Sequence, residues 1–361
     1  MMCLRAFLRV FKRVACKFLM YCYFGIRLIC YGYTVGIRLE GSVGIVFFNV
    51  ITVTLNPALD RTYEVPSFLE GGLNRASNVR MDAGGKGINV ARGLTLLKVP
   101  ALATGFIGGS QGDFLEARLK EEGIPCEFMK VPGNTRINVK IADLKTGLTT
   151  EVNEAGFPLL QSDLEAFLSK LEALCVQLKN SCLALSGGIP PETDAGIYSH
   201  IISRMKTLGV RVVLDADGKP LKEGVKANPF AIKPNIHELS VLAGKPVESE
   251  ADVIEQCRKL LNKGIQWIGV TLGEKGVLLA GQEGFYRALP FPIHALSTTG
   301  AGDAALAAFL YGLSKNLDGK ALAAIMTCGG TLAAQKPGTT ACTEEELLMN
   351  LHRVKVEKLN T

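Results

Sequence analysis

The sequence predicts an α/β protein: a central, mostly parallel sheet covered by helices on both faces, with a small β-sheet projecting from it. Three observations predict it. From Val50 onward, short runs rich in Val, Ile and Leu alternate with segments whose apolar residues recur at helical spacing; strand–helix alternation of that length is the pattern of a parallel sheet with helical crossovers. Two stretches, 61–82 and 130–155, break the rhythm with β-rich runs and no helix between them. Glycine clusters at 84–87 and 300–302 each open a helical segment.

The elements follow in order. "VITVTLN" (50–56) alternates β-branched residues as a strand does, and "GINVARGLTLLK" (87–98) puts Ile88, Ala91, Leu94 and Leu97 on one helical face. The strand "PALATGFIG" (100–108) leads to the helix "GDFLEARLKEEG", closed by Gly123. Further pairs are helix 161–178 with "CLALSGG", helix 193–208 with "VRVVLDA", "FAIKPN" with helix 236–243, and helix 250–264 with "WIGVTLG". Helices 302–315 and 319–335 are expected to close the chain. In the two irregular stretches, "RTYEV", "RINVKIADL" and "TTEVN" sit among turn residues and fit a small antiparallel sheet.

Composition narrows the function. With 361 residues, about half apolar and a fifth charged, the chain is long enough for a sizeable core. The net charge is +6, yet residues 1–49 hold seven basic residues against Glu40, so residues 50–361 are formally neutral. That balance argues against a nucleic-acid-binding body. Residues 1–49 also carry four of the ten cysteines and ten aromatics, as an atypical extension before a domain spanning 50–361. "FLMYCYFGI" is interrupted by Arg27 and is too short to span a bilayer. The favoured reading is a start codon set upstream of the true one, Val50 being encodable by GTG. An interfacial membrane anchor and an export signal are the alternatives. The remaining cysteines are scattered without metal-ligand spacing, as reduced thiols of a cytoplasmic protein would be.

Two segments carry chemistry. In "DAGGKGINVAR" (82–92), Gly84, Gly85 and Gly87 surround Lys86 at a helix start. Glycines admit close backbone approach, a helix N-terminus suits an anion, and lysine adds a point charge; a tight strand-to-helix turn with a solvent lysine is the plainer reading. In "STTGAGDAALAAF" (297–309), Gly300, Ala301 and Gly302 form a nest of backbone donors and Asp303 stands in the first helical turn. Donors there stabilise charge developing on a transferring phosphoryl group, and a carboxylate there takes a proton from an attacking hydroxyl. A carboxylate merely complementing the helix dipole is the alternative.

Taken in order, "LNPALD", "GGKGINVAR", "GNTRINVK", "SGGIP", "KPNIHEL", "VTLGEKG" and "STTGAGD" resemble the ribokinase-like sugar kinases of the phosphofructokinase-B branch, from residue 50 to about 355. The resemblance implies that fold and a small sheet acting as a lid over the sugar, often also the interface of a homodimer. It implies an enzyme that uses ATP and Mg²⁺ to phosphorylate a sugar phosphate. The spelling of "GGKGINVA" and "TRINVK" is nearest to kinases acting on the 6-hydroxyl of fructose 1-phosphate; tagatose 6-phosphate and fructose 6-phosphate are the alternatives. Asp303 matches the catalytic base, and Gly300, Ala301 and Gly302 match the anion hole. Asp60, Gly84, Gly85, Lys86 and Asn89 match positions around the sugar, and Arg136 one close to the substrate phosphate. Asn153, Glu154 and Ser186 fall on the substrate side. Lys233, Asn235 and Glu238 match the segment near the triphosphate, where Asn235 and Glu238 would hold Mg²⁺ through its waters. Thr271, Gly273 and Gly276 match the turn against which ATP lies. "SGGIP" departs from a common "SGSLP", so Gly188 lacks a hydroxyl, and Ala304 stands where serine is frequent. A sugar-phosphate-binding regulator on an inactive kinase is the reading of another class; Asp303 and its glycine turn argue against it.

Overall fold

The computed structural model describes residues 26–31, 34–39, 49–178 and 181–359. The chain divides into two units, Met1–Phe47 and Phe48–Thr361. In the first, β1 (Ile26–Tyr31) and β2 (Thr34–Leu39) pair as an antiparallel hairpin. The basic start and most of the apolar run on which the anchor and export readings rest lie outside the described residues. Among the described residues no helix is long and apolar enough to cross a membrane.

The second unit is built on a ten-stranded sheet. Its parallel centre is formed by β3 (Asn49–Thr54), β6 (Ala101–Ile107), β10 (Ser181–Ser186), β11 (Arg211–Asp215), β12 (Ala231–Ile232) and β13 (Trp267–Thr271). The two-residue β7 (Met129–Lys130) adds one edge. At the other, β14 (Val277–Gly281), β15 (Gly284–Leu289) and β16 (Lys355–Leu359) pair antiparallel.

Alternation along the central strands loads both faces with apolar side chains, which is why the sheet needs two helical layers. Leu183, Leu185, Val212 and Leu214 enter one core cluster, while Cys182, Ala184 and Val213 enter the other. The first face is covered by helices Gln161–Gln177, Ile197–Thr207 and Glu250–Leu261, with Phe106 and Phe167 tilted against each other at 4.7 Å between ring centroids. The second is covered by α1 (Lys86–Leu96) and by the consecutive helices Ala301–Ser314 and Gly319–Ala334. The long apolar alanine-rich segment 301–314 is buried almost throughout because it is sandwiched between α1, the sheet and the following helix.

The projecting sheet consists of β4 (Ala58–Val65), β5 (Asn78–Gly84), β8 (Arg136–Asp143) and β9 (Thr149–Asn153), in the order β5-β4-β8-β9. It is mixed where an antiparallel sheet was expected, since β4 and β8 run parallel. After β5 the chain passes through α1, β6 and the helix Gly109–Glu121 before returning as β8, and so long a crossover permits parallel entry. Two further expectations are corrected. The chain does not close with two helices, because helix Glu344–Asn350 and β16 follow. "FAIKPN" forms a strand of only two residues, and helix Gly218–Lys226 and the β14–β15 hairpin were not anticipated.

The strand ends that carry the site are tied to the core. The buried Tyr198 hydroxyl donates to the Gly187 carbonyl at 3.0 Å, just beyond β10, and the Gly187 N–H donates to the Asp215 carbonyl at 2.9 Å. Tyr198→Phe leaves that carbonyl with one partner fewer and is expected to cost about 1 kcal/mol. The check is a lower thermal midpoint with an unchanged far-ultraviolet spectrum.

Candidate active site

The carboxyl ends of the parallel strands open onto a cavity of about 1050 Å³, the location where ligands bind in open α/β sheets. Asp60, Lys86, Asn89, Lys233, Asn235, Glu238, Thr271, Gly273, Gly276 and the 300–303 turn all line it. Residues from five separated segments of sequence therefore meet around one cavity.

Asp303 stands in the first turn of helix Ala301–Ser314, behind Gly300, whose φ of 80° is left-handed. A Cβ at Gly300 would lie 2.9 Å from Thr339 Cα, so the turn requires glycine. The Ala301 N–H donates to the Thr298 carbonyl at 3.3 Å, while the N–H groups of Gly302 and Asp303, residues that line the cavity, have no carbonyl to bond within the helix. The Asp303 carboxylate accepts from Asn89 Nδ2 at 2.8 Å. Asn89 is in turn oriented by Arg92 Nη1, which donates to its Oδ1 at 3.0 Å, and Arg92 is held by Glu122 at 2.7 Å. Burial pushes the Asp303 pKa up to about 6; the nearby Asp215 carboxylate adds to the rise, while Asn89, Lys233 and Lys86 oppose it.

Asp215 closes β11 and is 1% exposed. Neither of its carboxylate oxygens has a hydrogen bond of good geometry. Its charge is balanced instead by Lys233 Nζ at 3.2 Å from one oxygen and Lys86 Nζ at 3.8 Å from the other. Lys86 also lies 3.7 Å from Glu238 Oε1. Burial alone would lower the Lys86 pKa, but the combined carboxylates of Asp215, Glu238, Asp303 and Asp217 raise it, so it is charged at all ordinary pH. Asn235 and Glu238 form a reciprocal cap on helix Ile236–Ala243: Glu238 N–H donates to Asn235 Oδ1 at 2.9 Å, and Asn235 N–H to Glu238 Oε2 at 2.8 Å. Glu238 Oε1 remains directed at Lys86.

The projecting sheet supplies the opposite wall. Asp60 is held by Asn138 Nδ2 and Lys140 Nζ, each at 2.9 Å, one on each oxygen. Gly84 makes room for that carboxylate, since a Cβ there would lie 2.8 Å from Asp60 Cγ. Gly85 sits at φ 127° beside the start of α1. At the far end of the cavity Leu272, Val277, Phe291, Ile293 and Met326 form an apolar slot next to the Gly273–Lys275 turn.

Several expected residues do not reach the cavity wall. Arg136 spends its guanidinium on the Asn56 carbonyl, at 3.2 and 3.3 Å, and on the Glu154 carbonyl at 3.1 Å, bracing the root of the sheet. The Glu154 carboxylate accepts from the Ile137 N–H at 2.8 Å, and Asn153 lies on an exposed edge strand. Ser186 is fully buried with an unpartnered hydroxyl beneath the Gly187 turn. Gly84 and Gly85 shape the site from behind. Conversely, Asp215, Arg92, Asn138 and Lys140 were not singled out. The signals were present: a carboxylate at a strand end in "VVLDA", an arginine three residues after Asn89, and alternate polar residues in "RINVK".

Residues 52–346 match the model of the pfkB family of carbohydrate kinases, and the chain belongs to that family. A 1-phosphofructokinase of Bacillus subtilis (strain 168) is 36% identical over 312 residues, covering 86% of this chain and 100% of that protein. The crystal structure of Escherichia coli phosphofructokinase-2 in complex with fructose-6-phosphate superposes with a TM-score of 0.79 at 25% identity, covering 84% of this chain and 98% of that one. The tetrameric inhibited form of the same E. coli protein gives the same TM-score, identity and coverage. The fold is thus that of the pfkB kinases, and the protein is a sugar-phosphate kinase with ATP as the family's phosphoryl donor.

The raised Asp303 pKa has a thermodynamic consequence. Its value in the folded protein exceeds the ordinary 3.8, so the folded state holds the proton more tightly between the two values. Stability from this group is present below about pH 4 and is lost as pH rises through about 6. Asp303→Asn is therefore expected to stabilise the protein by roughly 2–3 kcal/mol at pH 7.5 and by little at pH 4. Denaturant unfolding at the two pH values checks it.

Proposed function

We propose that the protein transfers the γ-phosphoryl group of ATP to the 6-hydroxyl of fructose 1-phosphate, giving fructose 1,6-bisphosphate and ADP. The observation that carries the reading is the buried Asp303, oriented by Asn89 beside the open N–H groups of the 300–303 turn. A carboxylate with a pKa near 6 is ionised at neutral pH and still basic enough to accept a proton from a sugar hydroxyl as it attacks. The proton passes to Asp303 as the oxygen–phosphorus bond forms and the bond to the departing ADP oxygen breaks. Turn N–H groups face the equatorial oxygens of the moving group. Lys233, whose Nζ lies 3.5 Å from where a Gly302 Cβ would stand, adds positive charge beside them. Asp60, held by Asn138 and Lys140, accepts from the sugar hydroxyls. The apolar slot by Phe291 and Met326 suits the flat base of the nucleotide. The name of the B. subtilis relative supports fructose 1-phosphate. The fructose-6-phosphate complex of the E. coli protein favours a second reading, with the sugar reversed and its 1-hydroxyl against Asp303.

The residues fit magnesium. Glu238 Oε1, the second lone pair of Asn235 Oδ1 and the orphaned oxygens of Asp215 are hard donors, and a hydrated ion held through its waters needs no dedicated cage. A magnesium ion bound there with the nucleotide would supply positive charge that neutralises the phosphates. Asn235 and Glu238 would hold it on that side while Lys86 and Lys233 balance the carboxylates beneath.

The same reading includes a lid and a homodimer. Residues paired across strands share a face, and Asp60 faces the cavity, so Tyr63, Val139, Ile141, Val79 and Val152 face away. Val79 and Val152 are 48% and 61% exposed. An apolar face on a four-stranded sheet is suited to cover by a second copy. Lid closure over the sugar would exclude water and suppress ATP hydrolysis. A cytoplasmic location accords with the six free cysteines among the described residues. Burial pushes the Cys182 and Cys257 thiols up to about 12, which makes them inert packing residues.

Turnover with fructose 1-phosphate, fructose 6-phosphate and tagatose 6-phosphate, measured side by side, tests the substrate. Fructose 1-phosphate is expected to lead in kcat/KM by about 10-fold or more, and a lead for either 6-phosphate reverses the placement of the sugar. Asp303→Ala should lower kcat by about 10²–10⁴-fold with ATP binding retained. In the wild type kcat/KM should fall tenfold per pH unit below about 6, as Asp303 takes up its proton. Separately, Val79→Lys combined with Val152→Lys should convert a dimer into monomers in analytical ultracentrifugation.

A further inference from the structure

Phe291 belongs to the apolar slot at the far end of the cavity and is 5% exposed. Arg353 lies over its ring, with the guanidinium carbon 3.9 Å from the ring centroid. Arg353 is an exposed residue and does not itself line the cavity, so Phe291 stands between the cavity and the arginine. The sheet edge fixes this encounter. β15 and β16 pair antiparallel with Leu289 opposite Lys355, and continuing that register two residues beyond the pair sets Phe291 opposite Arg353. The guanidinium is held in turn: Nη1 donates to Asn350 Oδ1 at 2.8 Å, and Asn350 Nδ2 donates to the Glu346 carbonyl at 2.9 Å, within helix Glu344–Asn350. Arg353 thus ties the last helix to a cavity wall through a planar cation, the group that stacks best on an aromatic face.

We propose that Arg353 is a positioning residue for the nucleotide: it holds the Phe291 ring as the wall against which the base lies. The inference rests on the reading of the apolar slot as the seat of the base; the identity of the sugar does not enter. β15 ends at Leu289 and the next helix begins only at Ala301, so no strand or helix of its own segment fixes the ring of Phe291. The segment that follows, 292–299, is mostly exposed and leads straight to the glycine turn beside Asp303. A cation stacked on the outer face of the ring supplies the missing constraint. Its charge also draws the ring's electron density outward, so the inner face repels the π-cloud of a stacked base less. Arg353 touches neither the 300–303 turn nor the carboxylate cluster around Lys86, so it acts on affinity for the base rather than on phosphoryl transfer.

The test compares Arg353→Ala, Arg353→Met and Arg353→Lys with wild type in KM for ATP, KM for the sugar phosphate that turns over fastest, and calorimetric Kd for ADP in magnesium buffer. Arg353→Ala and Arg353→Met should raise KM for ATP and Kd for ADP by about three- to tenfold. The sugar KM and kcat at saturating ATP should change by less than about twofold, as a loss confined to nucleotide binding requires. Arg353→Lys, still a cation able to stack, should recover part of the loss. Phe291→Ala is the reference and should raise the two nucleotide constants by about tenfold or more. The inference is overturned if Phe291→Ala weakens ADP while the neutral Arg353 variants stay at the wild-type value. Equal rises in the ATP and sugar constants overturn it too, because they mark a general loosening. If Phe291→Ala leaves ADP binding unchanged, the slot is not the seat of the base and the underlying reading is what fails. Arg353→Met keeps the apolar stem and decides the matter if Arg353→Ala does not fold. ADP binding needs no turnover, so an error in the sugar assignment alters none of these outcomes.

Discussion

The interaction on which the site depends is the burial of the Asp215 carboxylate at the carboxyl end of a central strand, opposite two lysines from other parts of the chain. Removing such a charge from water costs several kcal/mol unless partners compensate. Lys233 follows β12, the next strand of the sheet, and Lys86 opens α1 from the other side of the site. The compensation exists only when β11, β12 and α1 have docked in register. The same buried charge reaches Asp303 and helps raise its proton affinity. One electrostatic cluster thus links sheet assembly to the proton affinity of Asp303.

The projecting sheet solves a different problem with one strand pattern. Alternation puts Asp60, Asn138 and Lys140 on the cavity side and Arg61, Val139 and Ile141 on the other. Period-two geometry therefore gives a thin sheet a polar face toward the cavity and, away from it, a face that is apolar apart from Arg61. Parallel pairing of β4 with β8 is what brings Asn138 opposite Asp60 and lets Lys140 reach the same carboxylate. Arg136 and Glu154 then lock the root of this sheet to Asn56, so the cavity wall that carries Asp60 is anchored just beyond β3.

Backbone donors and side-chain charges lie side by side around the 300–303 turn. The glycine turn at 300–302 supplies fixed N–H groups whose positions are set by helix geometry, while Lys233 and Lys86 supply charge on stems held by carboxylates. A similar economy appears at Asn235 and Glu238, where each residue caps a helix with one atom and leaves another facing the cavity. A capping role and a ligand-binding role are compatible there because a carboxylate has two oxygens.

Read alone, the sequence determined the layered α/β architecture, the β-rich stretches of the projecting sheet and the two glycine-led helix starts, because periodicity and glycine placement are local properties of the chain. It also marked Asp303, Lys233 and Asn235, each lying within a short contiguous motif, and all three line the cavity. Only the tertiary structure decided that Asp215 joins them, since one aspartate at the end of "VVLD" has no local mark of burial. It decided that Lys86 faces Asp215 and Glu238, that Arg136 and Glu154 brace the projecting sheet, and that Ser186 lies beneath the surface. Those outcomes depend on strand order, crossover length and which carboxylates converge in three dimensions. Sequence spacing does not encode distances between segments more than a hundred residues apart, such as Asn89 and Asp303.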